Sequence, residues 1–246
     1  MGTYVSIPGS GNVNYTIWGQ GTVIAGGGND NIDITGAGSK ILVGGGHDTL
    51  TLNSGGTIQQ WGSKGTEAIT IGAGSDTISV AGNATVTGSF SHDPFTEATL
   101  GSGTLEVSQG SGGVTEVAVS GTMTLLGSAM ATEFVGGSGT TLMKGGSGND
   151  TFVGGSGHDT MTGGSGHNLF AFVSGEQGGQ HVVTNFVSGQ DELYVEGNSL
   201  AYLQTHGEIS THGGNTFITI DGGKTTIELQ GVTTLKASDF TTTGNH

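Results

Sequence analysis

Apolar residues along this chain recur at strand spacing, in pairs two apart or singly at long intervals. The pairs Ile32 with Ile34, Ile41 with Val43, Leu50 with Leu52, Ile69 with Ile71 and Ile78 with Val80, and Val23 alone, each follow a glycine. Side chains two apart share one face of an extended strand, so these residues are the inward positions of a row of short strands. From Leu100 to Ala171 the spacing becomes a strict period of nine: LGSGTLEVS, QGSGGVTEV, AVSGTMTLL, GSAMATEFV, GGSGTTLMK, GGSGNDTFV, GGSGHDTMT, GGSGHNLFA. Position four is glycine in every block but the one holding Met130, and position eight is apolar at Val107, Leu125, Phe134, Met143, Phe152, Met161 and Phe170, with Glu116 the exception. A Gly-rich turn followed by about three extended residues leaves room for one inward apolar side chain per block. Two blocks then close one coil. Phe134, Phe152 and Phe170 are expected on one parallel sheet and Met143 and Met161 on the other.

The same grammar, less regular, runs from about Gly11 to residue 80, with glycines 19, 28, 38, 46, 56, 65 and 74 spaced by eight to ten residues. It fails over SFSHDPFTEA, where Pro94 cannot donate to a sheet ladder. Beyond Phe172 longer alternating runs take over, and FITIDGGKTTIEL reads as a hairpin around Asp221, Gly222, Gly223 and Lys224. An open stack of strands needs such a cap on its last edge. The fold expected is all-β: a right-handed parallel β-roll or β-helix solenoid, irregular over 1–99, nonapeptide-built over 100–172, with a C-terminal β cap over 173–246.

Composition narrows this further. Of 246 residues 52 are glycine, 32% are hydrophobic and 6% aromatic, too little for a core of amphipathic helices, while two prolines exclude collagen. Lysine numbers five, arginine none, and acidic residues number 20, for a net charge of −15. Nucleic acid is an improbable partner for such a surface. An acidic chain with few large apolar residues stays unfolded by self-repulsion unless a cation neutralises it. Cysteine is absent, so neither disulfides nor thiolate zinc can help. No apolar run approaches a membrane span, and the N-terminus has no basic or apolar leader, so export would use neither signal peptide nor anchor.

The tandem blocks GGSGNDTFV and GGSGHDTMT, and less fully GGSGHNLFA, fit the pattern GGxGxDxUx. This stretch resembles the repeats-in-toxin family of hemolysin-type calcium-binding repeats, closely over 136–171 and loosely over 20–80. HVVTNFVSGQDELYV and TTIELQGVTTLKASDF resemble the segments that follow such repeats, which in the family carry an uncleaved type I secretion signal. The resemblance implies a Ca²⁺-loaded roll. Calcium takes six to eight oxygens at about 2.3–2.6 Å; the turn glycines Gly146, Gly148, Gly155 and Gly157 would bring backbone carbonyls close, and one Asp per turn would bring charge. Turns on one side are two blocks apart, which sets Asp150 beside Asn168 and Thr141 beside Asp159. Asp30 and Asp48 have the same spacing. Two blocks beyond Asp159 stands Gln177, beside Glu176, as a third site. Asp76 is a further, isolated candidate. Asp191 is a ligand by resemblance alone. Lys40 stands at the equivalent place on the opposite side, where it would repel a cation. The plain alternative is that these Asp residues merely suit turns.

Little points to catalysis. His47, His158 and His167 fall at position five, a solvent-facing place, with the last two on opposite edges. His92 and Asp93, between Phe90 and Phe95 and followed by Glu97, form the sole active-site-like cluster, without a nucleophile motif. The expectation is a secreted, extracellular, calcium-binding module with a structural, secretion or cell-surface role and no enzymatic activity. The rivals are a polysaccharide-binding or polysaccharide-modifying module of a larger enzyme, limited to neutral glycans by the charge, and a surface adhesin or surface-layer protein.

Overall fold

The computed structural model describes residues 2–61, 65–90, 97–110, 114–118, 122–127, 129, 131–173 and 178–242, with side chains omitted at 73–76, 80–83, 88–90, 97–110 and 114–118. The chain divides into two compact units, Met1–Val117 and Ala118–His246. Each is a parallel β-solenoid in which successive strands alternate between two sheets.

In the first unit one sheet runs Thr3–Ile7, Gly21–Ala25, Ser39–Val43 and then residues 56–60, and the other runs Asn14–Ile17, Asn31–Ile34 and then residues 49–52. The extended run Gly46–Gln60 serves both sheets, with a register irregularity between Ser54 and Gly56 marking the corner. Its core is aliphatic: Val23, Ile41, Ile58 and Ile78 form one file, Ile32, Leu50 and Ile69 a second, Ile34, Leu52 and Ile71 a third, all buried. Every pair named from the sequence is inward where its side chain is described; Val80 lies outside those side chains.

In the second unit Thr122–Leu126, Thr140–Lys144 and His158–Thr162 stack in register two blocks apart, and Glu133, Thr151 and Leu169 do the same on the other sheet. Phe134, Phe152 and Phe170 stack ring on ring at 4.8 and 4.9 Å between centroids, 12° and 10° from parallel. Leu125, Met143 and Met161 line the other sheet, all buried. The expected partition of aromatic and thioether side chains is what the structure has.

One expectation is corrected. Each short strand points two side chains inward, because positions six and eight share a face of a pleated strand. Position six is buried throughout the described second unit, at Met123, Thr132, Thr141, Asp150, Asp159 and Asn168. The acidic residues therefore line the interior beside the apolar file.

After Phe172 the period lengthens. His158 pairs with Gln180 and Leu169 with Glu192, offsets of 22 and 23 in place of 18. A helix, Leu200–His206, which the sequence reading did not anticipate, is capped by Ser199, whose hydroxyl accepts from the Tyr202 amide, and ends on left-handed Gly207. Asn215–Ile220 and Thr225–Leu229 form the expected antiparallel hairpin, and the latter strand pairs in parallel with Gly179–Thr184. Asp239 pins the tail: it accepts from the Ser188 hydroxyl and the Gly189 and Lys236 amides at 2.8–2.9 Å.

Candidate metal centre

The turns explain why position six tolerates an acid. Where turns stack, the outer strand edges leave amide N–H groups that must find acceptors, and side chains supply them across one coil. Asp30 accepts from the Val13 amide and Asp48 from the Asp30 amide, each at 2.9 Å. Asp150 accepts from Thr132 at 2.9 Å, Asn168 from Asp150 at 3.0 Å, and Asp191 from Asn168 at 3.0 Å. Position five works in the other direction: Asn29 accepts from the His47 amide and Asn149 from the His167 amide. The predicted partners thus come together as two files, Asp30 with Asp48 and Asp150 with Asn168. Asp191 extends the second across the longer corner that follows Asn168.

The glycines permit the close stacking. A Cβ on Gly157 would lie 2.0 Å from the Gly139 carbonyl oxygen, and one on Gly155 2.4 Å from those of Gly136 and Gly137; Gly146 and Gly148 present their carbonyls 2.1 Å from where Cβ atoms on Gly164 and Gly166 would stand. Gly157→Ala is expected to force these turns apart and cost ~1–3 kcal/mol, read as a lower urea midpoint with an unchanged m-value.

Electrostatics mark the acids as unsatisfied. Burial pushes the carboxyls of Asp30, Asp48, Asp150 and Asp191 above the usual carboxylate range, partly offset by the amides they accept from. Asp30 Oδ2, Asp48 Oδ2 and Asp159 Oδ1 are buried without a partner, and Asp159 Oδ2 meets only a histidine nitrogen. Such orphaned oxygens are what a cation site presents. Asp150 differs, since its Oδ2 also accepts from Gly146 at 3.1 Å, as does Asp191, whose Oδ2 takes the Val187 amide at 2.8 Å. Divalent calcium therefore fits best at Asp30, Asp48 and Asp159. A cavity of about 130 Å³ opens beside the Asp150 file, lined by Asn149, Asp150, His167, Asn168 and Gln190 among others. Among the described residues no three histidine or acidic side chains converge on one point, so backbone and amide oxygens must complete any shell.

Two placements differ from the sequence reading. Asp159 stands beside Thr141 on one side, as expected, but its neighbour on the other side is His181, beyond the two-block spacing, with Nδ1 3.0 Å from Asp159 Oδ2; Gln177 and Glu176 lie outside the described residues. Ser39, in place of Lys40, takes the inward position: its hydroxyl accepts from the Gly21 amide and donates to the Gly36 carbonyl, and Lys40 faces outward. The extra residue in the turn before it rotates the motif by one, and an ammonium is far cheaper to solvate than to bury. Asp76 stands in register with Gly56, the next place in the Ser39 file, and its side chain lies outside those described. His47, His158 and His167 are exposed as expected; His92 and Asp93 lie outside the described residues.

Sequence reasoning also missed Glu67. It pairs in register with Asp48, one place beyond the two-block spacing, is fully buried, and is pushed up to about 7 by burial and by the charge of Asp48. A folded-state pKa above the unfolded one means that the native state holds the extra proton, so the penalty is absent below about pH 4 and grows as pH rises to 7. In chelator, thermal stability is expected to fall from pH 5 to pH 8, and added calcium to flatten that slope. A melt series in EGTA and in calcium checks both.

A family model, the RTX calcium-binding nonapeptide repeat, matches residues 135–170 in four copies. No curated protein matches the chain. The matched span holds Thr141, Asp150, Asp159 and Asn168, and nonapeptide repeats of this kind bind Ca²⁺. No helix among the described residues is long and apolar enough to cross a membrane.

Proposed function

Residues 135–170 are RTX calcium-binding nonapeptide repeats, and from that premise we propose that the chain is an extracellular β-roll module whose folding is driven by calcium and whose role is structural, secretory or cell-surface. The observation that carries this is the pair of buried carboxylates Asp30 and Asp48, each with an Oδ2 that has no partner; Asp159 Oδ1 is orphaned likewise, while its Oδ2 has His181 Nδ1 at 3.0 Å. A side chain placed inward by strand geometry, deprived of water and given no donor on one oxygen keeps its charge only with positive charge beside it, and is otherwise driven toward the protonated form. Bound calcium would supply that charge. The chain's own part is to hold the turns in register through the position-five and position-six amide bonds, and to offer carbonyls at Gly146, Gly148, Gly155 and Gly157.

On this reading calcium would also govern export. At low cytosolic calcium the acidic, apolar-poor chain remains extended and exportable; at about millimolar calcium, sites with Kd near 10⁻⁴ M fill. Calorimetric titration with Ca²⁺ tests it: the wild-type chain is expected to bind with Kd at or below about 10⁻⁴ M, and the double variant D150A/D159A to lose the repeats' share of that heat. Titration without saturable heat sinks the reading.

A second reading rests on the exposed aromatics of the first unit, Tyr4, Trp18 and Trp61, the last two 86% and 67% exposed. Exposed aromatic rings suit neutral sugars, and a glycan array decides whether binding accompanies the structural role.

A further inference from the structure

Beyond the matched repeats, the third turn of the first unit departs from the two beneath it in one way. Ala25 and Val43, at the last inward position before the turn, are followed in that file by Gln60, and Asp30 and Asp48, at the first inward position after it, are followed by Glu67. The turn is thus entered and left by buried polar side chains, Gln60 4% and Glu67 0% exposed. The Gln60 amide contacts Glu67 Oε1. Glu67 Oε2 and Asp48 Oδ2 are both buried without a partner, and each raises the energy of the other's charge. A glutamate has one methylene more than the aspartates below it, which lets it reach further from its own rung.

Extending the calcium reading of Asp48, on which this rests, we propose that Glu67 and Gln60 join Asp48 in a divalent-cation site of the calcium class, outside residues 135–170 and with a glutamate and an amide that the nonapeptide motif lacks. The two orphaned oxygens supply charge. A half-turn of the Gln60 amide, whose oxygen and nitrogen are set only by the hydrogen-bond network, presents a neutral oxygen as the third donor. Hard oxygens of two carboxylates and an amide select calcium or magnesium over softer metals. The cation also removes the repulsion between Asp48 and Glu67.

Trp61, next to Gln60, makes the site readable with Tb³⁺ in the full chain. Expected is tryptophan-sensitised Tb³⁺ emission that Ca²⁺ competes away, that W61F abolishes, and that the near-isosteric E67Q weakens by about tenfold in affinity with an unchanged circular dichroism spectrum in saturating calcium. Emission identical in E67Q and wild type, or absent from the wild-type chain at millimolar Tb³⁺, overturns the proposal. Lys64 precedes Glu67 closely in sequence; if K64A creates emission that the wild-type chain lacks, that ammonium is the partner of Glu67 and the proposal falls. The repeats are separable, because their calorimetric signal is lost in D150A/D159A and kept in E67Q.

Discussion

Phe152→Ala is expected to lower the stability of the second unit by ~3–5 kcal/mol. Phe152 is the middle ring of the stack, fully buried, with Phe134 on one side and Phe170 on the other. Truncation opens a cavity that neither neighbour can fill, since each is fixed by a strand in register above or below. It also removes two offset-stacked pairs, each worth ~0.5–1.5 kcal/mol beyond its area. A loss of that size is a large part of an ordinary domain's total of about 5–15 kcal/mol. Urea unfolding followed by circular dichroism measures it. Val153→Ser, one residue along on the half-exposed outward face, is the matched control and is expected to change the midpoint little. Equal losses in the two variants would show that the ring stack is not the core.

Withdrawal of calcium is expected to have an effect of comparable size. A site with Kd near 10⁻⁴ M at millimolar calcium adds ~1.4 kcal/mol to the folded state if the unfolded chain does not bind. Three such sites, at Asp30, Asp48 and Asp159, add ~4 kcal/mol. In EGTA the chain is expected to lose much of its β spectrum or to melt well below its calcium-loaded temperature, and to recover on adding calcium. Magnesium at the same concentration is expected to restore less, since it dehydrates reluctantly and demands stricter geometry. Identical melts in EGTA and calcium would show that the amide bonds to Asp and Asn side chains hold the roll unaided.

Much of this architecture was legible because its rules are local. A strict period of nine fixed the two-sheet alternation, and with it the partners Phe134 with Phe152 and Asp150 with Asn168. The hairpin was readable from DGG between alternating runs. Where the period breaks, counting fails. Thr141 meets Asp159 by the count of eighteen, but on the other side the count points to Gln177 where the register has His181, and Glu67 escapes it by standing one place past the two-block spacing from Asp48. Lys40 was misplaced for the same reason: motif alignment and strand register differ by one residue there, and burial decides for register. That position six points inward follows from strand alternation alone once the extended stretch is counted from position six rather than from the residue after it. The short helix at Leu200–His206 has a weak signature, a Ser cap and a Gly stop around two turns of chain.

The rungs that follow Phe172 are joined to those below by corners longer than the repeat provides, yet Met161 still meets Val183 and Phe170 still meets Leu193. Alignment here is kept by neighbouring strands rather than by the tally of residues between them, so strand register tolerates a change of length where the rungs are joined. A scaffold of this kind can diversify its rim while its interior stays as it is.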